Sequence, residues 1–473
     1  MTRASILGFG WLVSVALIAA AAQADVRLPS VIGENMVLQQ KQTAILWGWA
    51  ESGERITVTL EGNTADATAD SAGRWRVEIQ PPPAGGPYTL TFEGANTVTL
   101  SNVMVGEVWI CSGQSNMAWP VARALNPEEE IAAADYPNIR LFTVARKIAD
   151  KPQDDCVGTW TPCTPQTIEQ FSAVGYFFGR ELHKELGVPV GLINTSWGGT
   201  VAEAWTSRGT LAGDSDYSRI LQRAATFNES NPNQGSVLYN GMIKPLVPLA
   251  IRGAIWYQGE ANVRRAEQYA KLFPAMITDW RKSWGQGDFP FLYVQLAPFR
   301  YARSDPAECA ELWEAQFKTL ALPNTGMAVT TDIGDVKDIH PRNKQETGRR
   351  LALWALATVY GKDLVYSGPL YESMKVEGDS IRISFQHVGS GLKSSDDKPL
   401  THFTIASEDG EFLEATATID GDTVVVRSDQ IAEPAHVRFA WTDTAEPNLV
   451  NDAGLPASPF RTDRRKLVTA GER

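Results

Sequence analysis

Hydrophobic positions change their period twice along the chain. Between residues 26 and about 102 they alternate with polar ones in short runs: Thr43 to Trp49, Arg55 to Leu60, Arg74 to Ile79 and Tyr88 to Phe92. Gly, Pro, Asn and Asp separate the runs, and period-two alternation with that punctuation predicts a small β-sandwich. From Val103 the pattern is different. Apolar runs of strand length (Val105 to Cys111, Pro189 to Asn194, Ile251 to Tyr257, Phe291 to Gln295, Met327 to Thr331) now alternate with stretches of helical spacing. Ala173 to Leu186 carries Phe177, Phe178, Leu182 and Leu186 on one face and stops at Gly187; Gln268 to Trp284 stops at Gly285; Gln345 to Tyr360 is the third. Such interleaving predicts a parallel sheet with flanking helices. After about Ser367 the alternation returns in Ile381 to Phe385, Phe403 to Ala406, Thr423 to Arg427 and His436 to Trp441, which predicts a second β domain. The expected fold class is α/β, with a sandwich over 25–102, a parallel-sheet domain over 103–367 and a β domain over 368–473.

The first 24 residues read as an export signal. Arg3 supplies a positive start, Ile6 to Ala22 is almost unbroken apolar, and Ala22-Gln23-Ala24 offers a cleavage site before Asp25. The apolar run of about 17 residues is at the short limit for a membrane span. No later stretch is long and apolar enough, so the mature protein is expected to be periplasmic or secreted and free of the membrane.

The chain has 473 residues, too many for one ordinary core. Its formal net charge of −12 argues against nucleic acid or anionic lipid as partner. It also offers no overall attraction for an anionic sugar, whose recognition would need a local basic pocket. Of the four cysteines, Cys156 and Cys163 flank a turn-like segment and are expected to pair in an oxidising compartment, whereas Cys111 sits within an apolar strand as a buried thiol. None of the cysteines has zinc-site spacing and the five histidines are scattered, so no metal or other cofactor is implied.

Four polar clusters follow strands of the central region: Gly113-Gln114-Ser115-Asn116-Met117, Asn194-Thr195-Ser196-Trp197-Gly198-Gly199, Gln258-Gly259-Glu260-Ala261-Asn262, and Asp335-Val336-Lys337-Asp338-Ile339-His340-Pro341. The carboxyl ends of parallel strands are where an open α/β sheet holds its ligands. Ser115 follows a glycine that permits a tight turn, and a serine becomes a nucleophile when a neighbouring base takes its proton. The G-x-S-x-G elbow of α/β-hydrolases is absent. Gly213-Asp214-Ser215 has no strand before it and reads as a turn. Of the histidines, His340 alone lies past a central strand with carboxylates beside it, and Asp338, Asp335 and Asp332 are the candidates to orient its ring. Glu260 has two readings: an acid/base of a glycosidase, working with a carboxylate such as Asp335, or a buried acid that positions Gln258 and Asn262.

Gly113-Gln114-Ser115-Asn116-Met117, Trp256-Tyr257-Gln258-Gly259-Glu260-x-Asn262 and Asp338-Ile339-His340-Pro341-x-x-Lys344, in this order, resemble the sialate O-acetylesterase family, a branch of the SGNH (GDSL-like) hydrolases. Further matches lie at Pro29 to Leu38, Phe171 to Phe178 and Leu238 to Met242. The resemblance implies an SGNH-like parallel sheet and a serine esterase acting on an O-acetylated carbohydrate, sialic acid or a plant-wall polysaccharide. It implies Ser115 as nucleophile and His340 as base. The oxyanion would be held by the N–H of Ser115, an N–H of Gly199 or Gly198, and a side-chain amide, Gln258 ahead of Asn262. The common Asp-x-x-His spacing of these enzymes would place the acid at Lys337, so Asp338 is the nearest substitute and Asp335 the runner-up. Gln114, Asn116, Trp197 and Glu260 are expected to bind substrate, and Trp119, Trp197 and Tyr257 offer faces on which a sugar could stack. Two other function classes are a glycoside hydrolase using Glu260 and a carbohydrate-binding protein with a degenerate site.

Overall fold

The computed structural model describes residues 25–302 and 305–473; the expected leader, residues 1–24, lies outside them. Seven strands form the sheet that carries the clusters: β1 (Thr97–Gly113), β2 (Tyr136–Thr143), β3 (Trp160–Cys163), β4 (Val190–Ser196), β5 (Gly253–Tyr257), β6 (Phe291–Val294) and β7 (Thr325–Ala328). Their order is β7-β6-β5-β1-β4-β2-β3, and every neighbouring pair is parallel except β2 with the edge strand β3. The chain builds β2 to β4 on one side of β1, then crosses to build β5 to β7 on the other. The crevice beside β1 is therefore a topological switch point.

β1 belongs to two neighbourhoods. Its first half pairs antiparallel with Gly85–Glu93 and parallel with Val37–Gln39, and its second half lies between β4 and β5. Alternating exposure in the first half gives way to unbroken burial from Val103 onward. The change of sequence pattern near 102 thus falls inside one continuous strand, where one open face becomes covered on both sides.

Five helices matter for the site: α1 (Ser115–Ala118), α2 (Ala173–Leu186), α3 (Ala266–Trp284), α4 (Ala307–Lys318) and α5 (Lys344–Thr358). Glycines in the left-handed region stop α2 at Gly187 (φ 66°) and α3 at Gly285 (φ 68°), as their sequences predict. Strand alternation assigns α2 and α3 to opposite faces. Trp109 of β1 meets Phe178 of α2, while Trp256, which lies level with Ser112 of β1, meets Phe273 and Trp280 of α3. α5 packs beside α2, and α4 beside α3.

β2, β3 and α4 have no counterpart among the expected elements. Tyr136–Thr143 carries Pro, Asn and Arg, which break its alternation; its Arg140 is nonetheless buried, with hydrogen bonds to Pro137 O, Asn35 and Asn102. In α4 the buried face includes Glu311 and Gln316, whose polar atoms bind backbone at Val468, Thr469, Val294 and Leu296, and that interrupts the apolar period. Cys156 and Cys163 are separate buried thiols rather than the expected disulfide. Residues 160–163 are extended as β3, and Cys163 pairs with Tyr136 across the sheet instead of turning back.

After the central sheet the chain forms two four-stranded antiparallel sheets, with Ile383, Val424, Phe439 and Phe460 in a core of their own. No helix among the described residues is long and apolar enough to cross a membrane.

Candidate active site

Strand register places Gly113 of β1 between Ser196 of β4 and Tyr257 of β5. Three of the four polar clusters therefore leave the sheet side by side. Gly113 has φ +136°, and a Cβ there would lie 2.2 Å from Tyr257 O; no other residue fits between the two strand ends. The next N–H, that of Gln114, donates to Tyr257 O at 2.9 Å. Ser115 then opens α1, where its own N–H has no intrahelical acceptor. The Gly198 backbone lies against it, since a Cβ on Gly198 would stand 3.1 Å from Ser115 Cβ.

The fourth cluster comes from the segment between β7 and α5. His340 Nε2 is 2.9 Å from Ser115 Oγ. Asp338 Oδ1 accepts the backbone N–H of His340 at 2.9 Å and lies 3.6 Å from Nδ1, too far for a hydrogen bond to the ring. The Asp338 side chain is 52% exposed. Asp335 accepts the N–H of Lys337, and Asp332 is held by both terminal nitrogens of Arg350; neither contacts the imidazole. Trp119 stacks on His340, with 4.5 Å between ring centroids. Burial is the main reason the His340 pKa is lowered from its ordinary value; the Lys344 ammonium adds to it, Asp338 opposes it, and Arg123 contributes a little. The ring is thereby held neutral, the state in which it accepts a proton.

Several expected site residues point elsewhere. Gln258 is fully buried, and its amide donates to Thr200 O at 3.1 Å and Asn262 Oδ1 at 2.7 Å, so the expected oxyanion donor is occupied inside the fold. Along β5 the alternation that turns Trp256 into the core turns Gln258 the same way. Asn262 Nδ2 donates to Glu203, and its Oδ1 accepts the Ala202 N–H. Gln114 is buried, with Oε1 accepting the N–H groups of Gly259 and Ala261. Asn116 and Glu260 bond to each other at 2.6 Å behind the serine. Tyr257 is buried under Lys344 Nζ, 5.1 Å from its ring centre, and presents no face to a sugar. Trp197 is partly exposed, with the Arg146 guanidinium 5.5 Å over its ring. Gly199 has φ +74°, and its carbonyl accepts from Asn233.

Two participants carry roles that sequence reasoning did not give them. Trp119 supplies a wall for the His340 ring. Lys344 is a fully buried lysine in the first turn of α5, donating to Asn116 Oδ1. The signal for it was present: a cation at a helix N-terminus opposes the helix dipole and needs a local reason.

The family model for carbohydrate esterases described as sialic acid-specific acetylesterases matches residues 105–356. The sialate O-acetylesterase of Homo sapiens is 31% identical over 484 aligned residues, covering 92% of each chain. That of Rattus norvegicus is 33% identical over 435, covering 78% of this chain and 80% of its own. Among solved structures, the crystal structure of a carbohydrate acetylesterase from Xanthomonas citri is 40% identical and superposes with a TM-score of 0.87, covering 93% of this chain and all of that one.

Proposed function

Because the chain belongs to the family of carbohydrate esterases described as sialic acid-specific acetylesterases, we propose that it hydrolyses O-acetyl esters on carbohydrates with Ser115 as nucleophile and His340 as base. The observation that carries this reading is the 2.9 Å contact between His340 Nε2 and Ser115 Oγ at the switch point of the sheet. His340 takes the Ser115 proton as Oγ bonds to the acetyl carbon. The carbonyl oxygen becomes an oxyanion, and collapse of that intermediate expels the sugar oxygen, which takes the proton from His340. Water, deprotonated by His340 in turn, attacks the acetyl-serine; the bond from the acyl carbon to Oγ then breaks, Oγ takes the proton back from His340, and acetate leaves.

The N–H of Ser115 and a backbone N–H of the Gly198-Gly199 segment are the oxyanion donors in this reading. Donors aimed where charge develops favour the transition state over the ground state. Asp338 is the residue that accompanies the imidazolium, at a distance where it acts by charge rather than by a hydrogen bond. A glycosidase using Glu260 is disfavoured. Its Oε1 accepts from Asn116 Nδ2 and its Oε2 is buried, whereas a glycosidase needs two carboxyl groups flanking an open sugar site.

The test is acetate release from a panel of O-acetylated sialic acid, acetyl-xylan, acetylated xyloglucan oligosaccharides and acetylated pectin, by the wild type and by Ser115→Ala. Loss of a triad nucleophile lowers kcat by about 10⁶ in a well-studied case. The expected outcome is release from at least one substrate by the wild type and none above background by the variant. A variant retaining a tenth of wild-type turnover would remove Ser115 from the chemistry.

A further inference from the structure

Behind the serine lies a cluster of side chains that no step above uses. Lys344, Asn116 and Glu260 come from α5, α1 and the turn after β5, and the first two are almost completely buried. Lys344 Nζ donates to Asn116 Oδ1. Asn116 Nδ2 donates to Glu260 Oε1 at 2.6 Å and to the carbonyl of Ile339 at 2.9 Å. Ile339 immediately precedes His340, and Asn116 immediately follows Ser115. One amide therefore spans the two segments that must meet for catalysis.

The direction of that amide is not arbitrary. An asparagine has an acceptor and a donor end, and an ammonium can face the acceptor end alone. With Lys344 on Oδ1, Nδ2 is turned toward Glu260 and Ile339. Burying an ammonium is unfavourable unless it is compensated, and here it meets Asn116 Oδ1, the face of Tyr257 and the field of Glu260.

We propose that Lys344 is a positioning residue: through the Asn116 amide it locks the His340 loop onto the Ser115 turn, with Glu260 balancing its charge. The proposal rests on the assignment of Ser115 and His340 above. It carries a second, electrical consequence. The charged groups acting on His340 are Lys344, Asp338 and Arg123, and those acting on Lys344 are Glu260 and Asp338. Burial pushes the Lys344 pKa down to about 7. Below that pH the ammonium disfavours a second positive charge on His340, so removing it should let the His340 pKa rise and shift the acid limb of activity to higher pH.

The experiment measures kcat, KM and the pH profile of kcat/KM for Lys344→Met, Lys344→Gln and Asn116→Ala, with Ser115→Ala in the same assay. A displacement of about 1 Å in a catalytic group can lower the rate by about 10²-fold. Lys344→Met and Asn116→Ala should therefore lose roughly 10- to 100-fold in kcat, with KM changing little. The acid limb should move up in Lys344→Met and stay in Asn116→Ala, which keeps the ammonium. Lys344→Gln retains an N–H for Asn116 Oδ1, so it should recover kcat while its acid limb remains raised. A merely structural lysine would not separate the two readouts in this way. A folded Lys344→Met, or Lys344→Gln where the former does not fold, with wild-type kcat and acid limb overturns the proposal while Ser115→Ala stays inactive. Turnover by Ser115→Ala would instead overturn the reading beneath it.

Discussion

The indole of Trp119 lies parallel to the imidazole of His340, with 15° between their planes and 4.5 Å between their centroids. Trp119 is itself fixed by its Nε1–H donating to Arg123 O at 2.9 Å. The imidazole is thus held flat against a wall, with Nε2 on Ser115 and Nδ1 near Asp338 without a hydrogen bond. The stack restrains the orientation of the ring, where no carboxylate hydrogen bond to Nδ1 does so.

Trp119→Ala should accordingly reduce kcat without a comparable change in KM. Aromatic stacking contributes about 0.5–1.5 kcal/mol beyond area burial, which corresponds to roughly two- to tenfold in rate. Trp119→Phe, which keeps a stacking face, should retain most of the activity. Equal turnover in wild type and Trp119→Ala under saturating substrate would show that the wall has no part in catalysis.

Asp338→Asn and Asp335→Asn should separate clearly. Asp338 is the carboxylate nearest the ring, yet it is half exposed and 3.6 Å away. Its loss should cost kcat less than the roughly 10⁴-fold seen for a buried, hydrogen-bonded triad acid. Asp335 has no contact with the imidazole, and its variant should stay within about twofold of wild type, as surface substitutions away from such features do. A greater loss for Asp335→Asn would transfer the role to that residue.

The pH dependence follows from the environment of His340. The ring acts as base only when neutral, and burial, assisted by Lys344, holds its pKa below the ordinary value of about 6.5. As pH falls, the neutral form therefore persists past the point where an exposed histidine would be protonated. The acid limb of kcat/KM should fall below pH 6.5, and a midpoint above that value would contradict the assignment.

Gly198→Ala probes how closely the turn after β4 approaches the nucleophile. The new methyl would stand 3.1 Å from Ser115 Cβ, tighter than ordinary contact. The expected result is a kcat loss of about 10-fold or more from displacement of the serine, with a cooperative melt retained. Gly199→Ala has open space but a φ of +74°, so it should lower Tm through backbone strain of roughly 1–2 kcal/mol. A Gly198→Ala enzyme with unchanged kcat would mean the serine turn yields without consequence.

Much of this protein is written in local pattern. The run from Ala173 to Leu186 has helical period and ends at a glycine, and the structure forms that helix over the same residues. Arg55–Leu60 and Thr423–Arg427 alternate and are strands, because period-two alternation of apolar residues is carried by consecutive residues. The motifs likewise placed Ser115 at the mouth of its strand, since a glycine turn and a strand end are features of consecutive residues, and His340 in the segment beyond another strand.

What only tertiary structure decided is direction and distance. Gln258 and Asn262 are both amides beyond β5; alternation turns Gln258 inward with Trp256, but only the fold brings Thr200 O and Asn262 Oδ1 to its amide. Asp338 stands two residues from His340, yet backbone geometry gives its carboxylate to the His340 N–H rather than to the ring. The Asn116 amide joins residues 144, 223 and 228 positions away in the chain. Local propensity sets which segments are strands and helices, but a hydrogen bond requires its partners within a few tenths of an ångström. That precision comes from the packing of β1, β4, β5 and α5 against one another.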